Sequence, residues 1–532
     1  MRLDRRFLAP GVSIAVLAVL AWLWWCTASS TISARIAAMQ TVEPYGLAVF
    51  EQLIFNFRFG DGFSQTIHSG YSDAWTWGGH RAPVLVPVAW LYGVAPSAQT
   101  LSHIQILAVL AGVIPAALIG RRHLGSDWGL MLAALYLASP PVLELALQDY
   151  QDLVFALPGV VLAWWAFGHE RWWLAPIGAL ACILPREETL VLAPVIALVA
   201  LPLCAAPTLR GRLRPLGRLL RVAIALVMVG AYVVLSTELV PQDEYAMPLQ
   251  GVSHDFISAR GVIKLEGAGS TNFYLSCLGP LPALTLFAPI PLLGSIGTLL
   301  VHATIPSGHG IDRHWSSHAH HVAPAVAFAA VASVVGAARI LRLLAWSRLG
   351  VAARVLPILA AAVGAAWCGH QMKAWAVERN WVTGWTPVEP SWTHPAWALA
   401  EQVPPDAVLV VPVEWCLAAS GRSRSYTIGE SLAHKGDERG LGAASHILIH
   451  DEATEVIARV EAMSGAELLA HDSGIQLWTW APGALDPDPP TGRLDRAQVP
   501  RAEQLHPRGT PGIAPNPVPQ PVKPYYIRWF EQ

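Results

Sequence analysis

Apolar runs recur along this chain at lengths that suit a lipid bilayer, and they constrain its fold more than any other feature. A helix crossing the membrane needs about 20 mostly apolar residues, and lipid admits only helices or closed barrels as crossing backbone. Such runs lie near 11–30, 101–120, 129–147, 153–168, 172–184, 190–206, 221–237, 274–290, 291–305, 322–344 and 353–370. The expected fold is therefore a polytopic all-α membrane protein with about 11 transmembrane helices. A small C-terminal soluble α/β domain follows them. Composition agrees: only 14% of the residues are charged, against about 25% in soluble domains. A net charge of -2 gives no electrostatic case for nucleic acid, so membrane lipids are the expected surroundings.

Orientation follows from arginine. Arg2, Arg5 and Arg6 precede the first run, which is long enough to remain as an uncleaved helix with its N-terminus in the cytoplasm. Arg121 and Arg122, the cluster Arg210, Arg212, Arg214, Arg218 and Arg221, and the group Arg339, Arg342, Arg348 and Arg354 then all fall inside when the helices alternate. This requires the short run at 83–95 to lie on the outer surface, and the proline-rich stretch at 274–305 to split at 288–291. The chain reads as a multi-pass protein of a cell (inner or plasma) membrane. Its three parts are a transmembrane body over 1–375 with a large first outer loop (32–100), an extracytoplasmic α/β domain over 385–482, and a Pro-rich, disordered tail over 483–532. Within the soluble part, 407–412, 425–428, 445–450 and 476–480 read as strands, and 451–464 as a helix. The six cysteines form no disulfide framework.

Ionisable groups collect in the outer segments, where charge at bilayer depth is costly unless used. In YGLAVFEQLIFNF (45–57), Leu47, Phe50, Ile54 and Phe57 share a face, Gln52 and Asn56 share another, and Glu51 sits at the margin. That carboxylate either snorkels to the interface or occupies a cleft with a raised pKa. The stretch HSGYSDAWTWGGHRAP (68–83) offers flat aromatic faces, glycine backbone and the pair His80–Arg81, which suits a sugar or polyprenyl pocket or an interfacial aromatic belt. The connection QDYQD (148–152) carries Asp149 and Asp152, which could orient a hydroxyl, bind a divalent metal, or be ordinary loop residues. In PREET (185–189), Arg186 could bind phosphate beside Glu187, or the charges could neutralise one another. HGIDRHWSSHAHH (309–321) ends in His320 and His321; it lacks a recognised zinc spacing and either suits phosphate better than metal or is a merely polar loop. A divalent metal is possible but not indicated.

FEQLIFN with GGHRAP, QDYQD, PREET, HWSSHAHHVAP and the later VPPDAVLVVP stand in an order that resembles the bacterial membrane-protein family labelled domain of unknown function 2079, over about residues 40–480. That family is similar in topology to the GT-C membrane glycosyltransferases. The resemblance implies a catalytic carboxylate in the first outer loop, a second acid in the next, and a polyprenyl-phosphate-linked sugar as donor. Carried over by position, Glu51 lies in the carboxylate-bearing helix and Asp149 or Asp152 in the second loop. Relatives often carry an Asp shortly before the FDQ-like motif, where this chain reads Tyr45–Gly46, with Glu43 as the nearby substitute. The expected activity is sugar transfer to an extracytoplasmic acceptor. Glu51 or Glu43 would act as base, Asp149 and Asp152 would orient the acceptor or a divalent ion, and His80, Arg81, Arg186, Glu187, His320 and His321 would line the donor site. The alternatives are a non-catalytic transporter of a lipid-linked substrate or solute, which would spread its charges along a path, and an envelope scaffold.

Overall fold

The computed structural model describes chiefly residues 10–39, 46–59, 82–124, 139–168, 173–200, 222–231, 282–304, 322–346, 393–427 and 444–480, with short gaps inside several of these stretches. The chain divides into two compact units. One comprises Met1–Ile32, Gly78–Pro87 and Ser102–Arg379; the other comprises Ser33–Trp77, Val88–Leu101 and Asn380–Gln532.

The first unit is helical. Among the described residues three helices are long and apolar enough to cross a membrane: Ile14–Ala37, Ala98–His123 and Ala323–Ile340. Other expected runs stand as shorter helices, including Pro140–Leu147, Ala156–Gly168, Ala175–Ile183, Leu192–Val199 and Pro289–Thr304. Most of the run at 353–370 lies outside the described residues. On the first helix Ile14, Val19, Trp22 and Leu23 are exposed apolar side chains. Lipid is the solvent that removes the cost of presenting them. The Leu85–Tyr92 helix has eight residues, a rise of about 12 Å, too short for a hydrocarbon core of about 30 Å. In the proline-rich stretch the helices Pro282–Thr285 and Pro289–Thr304 are separated at 286–288, close to the expected break. Each begins on a proline, whose missing N–H costs nothing at a helix start.

Helix contacts in this unit rest on small residues, because dispersion through close approach replaces the hydrophobic drive inside lipid. Helix Ala156–Gly168 packs on Ala175–Ile183. A Cβ built at Gly159 would overlap the Ala181 carbonyl oxygen, and one at Gly178 would stand 2.9 Å from Ala163 Cα. The longer Ala323–Trp346 helix packs on Pro289–Thr304 and on Ala156–Gly168. There Trp164 meets Phe328 edge-on at 6.4 Å. Gly159→Leu is expected to force the first pair apart and destabilise the protein by about 1–3 kcal/mol or more, as overpacking does; thermal unfolding in detergent against Leu157→Ile as control measures it. An unchanged melting temperature would mean that this crossing does not hold the unit together.

The second unit contains a five-stranded mixed sheet. Strands β1 (Leu409–Val411), β2 (Ser425–Thr427), β3 (His446–His450), β4 (Glu467–Asp472) and β5 (Ile475–Thr479) lie in the order β2-β1-β3-β5-β4. β1 is parallel to β2 and β3, while β5 is antiparallel to β3 and β4. Four strands fall at the expected positions, β1 and β3 as continuous apolar runs and β5 with alternating burial at its start. β4 was not expected: ELLAHD has no buried face to alternate, and its pattern is almost wholly exposed. Its strand state comes from pairing through the two-residue turn Ser473–Gly474, where both φ angles are positive. That is the turn whose twist matches a hairpin. The Thr454–Glu461 helix covers one sheet face with Val456 and Val460 against Val410, Ile447, Ile449 and Trp480. The Gly46–Phe59 helix belongs to the same unit, as does the Cys416–Ser420 helix on which it packs.

Candidate functional site

On the Gly46–Phe59 helix the buried polar side chains of Gln52 and Glu51 both find hydrogen-bond partners. Gln52 is fully buried. Its Nε2 donates to the Arg422 carbonyl at 3.3 Å and to Ser425 Oγ at 3.0 Å, and its Oε1 accepts from the Ile67 N–H at 3.3 Å. The face that the helical wheel marks as polar is therefore occupied by chain from residues 422–425, some 370 positions away. Satisfying a buried amide is what makes that burial tolerable.

One residue earlier, Glu51 is 4% exposed. Tyr92 Oη donates to its Oε1 at 3.2 Å, and Ser420 Oγ lies in a short hydrogen bond to its Oε2. The N–H of Ala98, the first residue of the helix Ala98–Ala111, also donates to the carboxylate. A negative group there meets the positive end of the helix dipole. Burial nevertheless dominates and pushes the Glu51 carboxyl up to about 7, with the Ser420, Tyr92 and Ala98 hydrogen bonds pulling the other way. Of the two alternatives for this side chain, an enclosed carboxylate replaces the snorkelling one. At neutral pH it exists in both protonation states, which is the condition a general base or acid needs. Tyr92 is raised above its ordinary range by burial and by Glu51, so it stays a hydroxyl donor.

The second acid lies in the first unit. Gln105, in the apolar Ala98–Ala111 helix, receives the connection QDYQD with one side chain. Its Nε2 donates to the carbonyls of Leu145 and Gln148 at 3.0 and 3.1 Å, and its Oε1 accepts from the Gln151 N–H at 2.8 Å. The amide thus takes carbonyls that the Pro140–Leu147 helix leaves open at its C-terminus. Beyond it, Asp152 starts the 3-10 turn Asp152–Phe155 and accepts from the Leu153 N–H at 2.7 Å. Arg186 donates to both its oxygens, Nη2 to Oδ1 at 2.5 Å and Nε to Oδ2 at 3.3 Å. The two side chains are 1% and 4% exposed. Asp149 is buried nearby in sequence and turns its carbonyl toward Gln105 at 3.4 Å. The PREET segment is held in turn: Thr189 Oγ1 donates to the Arg186 carbonyl, and the Val84 N–H donates to the Leu184 carbonyl at 3.1 Å.

Structure thus joins Glu51 with Tyr92 and Ser420, and Asp152 with Arg186. Glu43, His80, Arg81, Glu187, His320 and His321 lie outside the described residues. Among the described residues no three His, Cys, Asp or Glu side chains come together as metal ligands would. Tyr92 and Ser420 carry no local signal in the sequence. Only Gln105 carries one, an amide inside an apolar run.

The profile of the family described as predicted membrane protein (DUF2079) matches residues 35–411. No curated protein sequence matches the chain. Among solved structures it is similar to ArnT from Cupriavidus metallidurans bound to undecaprenyl phosphate, at 13% identity and a TM-score of 0.50, covering 90% of this chain and 100% of that one. It is also similar to the apo oligosaccharyltransferase of Archaeoglobus fulgidus, at 12% identity and a TM-score of 0.42, over 90% of this chain and 75% of that one. At such identities the likeness to ArnT is one of fold, and it agrees with the GT-C-like architecture expected from the motifs.

Proposed function

The chain belongs to the DUF2079 family of predicted membrane proteins, and from that premise we propose that it is a membrane glycosyltransferase. It would move a sugar from a polyprenyl-phosphate donor to an acceptor on the outer side of a bacterial inner membrane, within a body of about 11 spans. The observation that carries the reading is Glu51, a buried carboxylate poised near 7 in a chain similar in fold to ArnT. Glu51 takes the proton of the acceptor nucleophile as that atom bonds to the sugar C1. The C1–O bond to phosphate breaks, polyprenyl phosphate leaves with the electron pair, and attack from the opposite face inverts the anomeric centre. Arg186, aimed by Asp152, stabilises the departing phosphate with Arg81, His320 and His321. Asp149 orients the acceptor, and Glu43, Glu187 and His80 are further candidates for contact with the substrates in this proposal.

Mass spectrometry of lipid extracts from the purified protein tests the donor class. A polyprenyl phosphate or its glycoside is expected with the wild type, and at least about ten-fold less with Arg186→Lys, which keeps the charge but loses the planar fork. Bulk phospholipid alone in both samples would remove the donor assignment and favour a transporter or scaffold. A second reading has one observation in its favour. The three donors around Glu51 would equally suit a structural clasp, in which case transfer survives its replacement.

A further inference from the structure

We infer that Ser420, together with Tyr92, is a positioning residue for the Glu51 carboxylate, so that the C-terminal segment completes the outer-loop acid site. As far as activity is concerned this rests on the reading of Glu51 as base; the geometry does not.

The contact is built, not incidental. Ser420 is fully buried at the end of the Cys416–Ser420 helix, and its Oγ reaches Glu51 across 369 positions of chain. The same Oγ stands 2.9 Å from the Leu417 carbonyl. A hydroxyl has one proton and two acceptor lone pairs. It can donate to Glu51 when the carboxyl is ionised, and when the carboxyl is protonated it can donate to Leu417 and accept from Glu51. Ser420 therefore serves both protonation states of a group that must cycle between them, while the charged state takes the stronger bond. Registration is fixed independently by the neighbouring Gln52, through its bonds to the Arg422 carbonyl and Ser425 Oγ. Arg422 in turn ties the following chain to the carbonyls of Ala400 and Val403, at 2.7 and 2.9 Å, and to that of Pro404.

Few other groups compete. On the elements packed against Glu51, the ionisable side chains among the described residues include Tyr92, Cys416, His103 of the Ala98–Ala111 helix, whose Nε2 meets Ser29 Oγ at 2.7 Å, and, just beyond, Arg422. Cys416 points its Sγ to the Pro412 carbonyl at 4.0 Å. Arg58, two turns along Glu51's own helix, lies over the Trp90 ring at 4.9 Å, and Glu401 ends the Thr393–Glu401 helix. Tyr92 alone among these acts on Glu51 as Ser420 does.

The test reads Glu51 directly. Infrared difference spectra of the full-length protein, titrated with pH, show the protonated carboxyl stretch, assigned by its loss in Glu51→Gln. The midpoint is expected near 7 in the wild type. It should lie about one pH unit higher in Ser420→Ala and in Tyr92→Phe, each of which removes one donor to the ionised form. In parallel the transfer rate at pH 7 should fall about five-fold in each variant and recover at higher pH, because a titration midpoint near 8 leaves about a fifth as much base ionised at pH 7 as one near 7. Two separate variants keep the test decisive if one of them does not fold. Unmoved midpoints in the folded variants would overturn the assignment. Raised midpoints in a protein without transfer activity would uphold it and remove the role of Glu51 as base instead.

Discussion

Glu51→Gln is expected to lower the transfer rate by about 10²–10⁴-fold, the usual contribution of a general base, and to leave the protein folded. The amide is nearly isosteric with the protonated acid and can still accept from Ser420 or Tyr92, but it cannot take a proton. Wild-type activity should rise with pH through about 7 and level off above it, since the ionised form is the base. Stability should move the other way. Burial raises the folded-state value above the ordinary 4.5, so the folded state prefers the neutral acid. Its favourable contribution is complete below about 4.5 and is lost as pH rises through about 7. Glu51→Gln lacks that loss and should melt higher than wild type at pH 8, with the difference closing toward pH 4.5. Kinetics on a lipid-linked sugar and melting curves at both pH values decide it. Full activity in the variant would leave Glu51 as a clasp and take the centre out of the proposed mechanism.

Arg186→Ala is expected to destabilise the protein by about 3–5 kcal/mol, because it strands Asp152 as a buried unpaired charge. Asp152→Ala should cost a similar amount by removing the buried carboxylate to which Arg186 donates, Arg186 being 4% and Asp152 1% exposed. The double variant Asp152→Leu with Arg186→Met should recover most of the loss, since a well-packed apolar pair avoids the desolvation cost of both ions. Thermal or denaturant unfolding of the four proteins in detergent measures the two losses and the recovery. Two single variants as stable as wild type would show that the bidentate contact contributes nothing, and that Arg186 is held by other means. The distinction bears on function: an arginine that is already oriented loses less freedom when it meets a phosphate.

Sequence exposed what depends on local pattern. Apolar run length made the chain a membrane protein, and short apolar runs at 407–412 and 445–450 with alternation at 476–480 marked strands near its end, because both signals are carried by neighbouring residues. The carboxylate in FEQLIFN and the charges of QDYQD and PREET stood out for the same reason, as polar groups in apolar surroundings. What sequence could not show is who meets whom. Asp152 and Arg186 are 34 positions apart and read equally well as solvated loop residues; their bidentate contact inside the protein removes that alternative. Strand β4 exists through its hairpin partner and not through any pattern of its own. Ser420 is an unremarked serine in CLAAS until the Cys416–Ser420 helix packs on Gly46–Phe59 and brings its hydroxyl to Glu51. Sequence by itself determined the solvent, the helices and the residue types available for chemistry, since hydropathy and periodicity are properties of adjacent positions. Tertiary structure alone decided the protonation balance of Glu51, because desolvation and hydrogen bonding depend on groups that only folding brings within about 3 Å of one another.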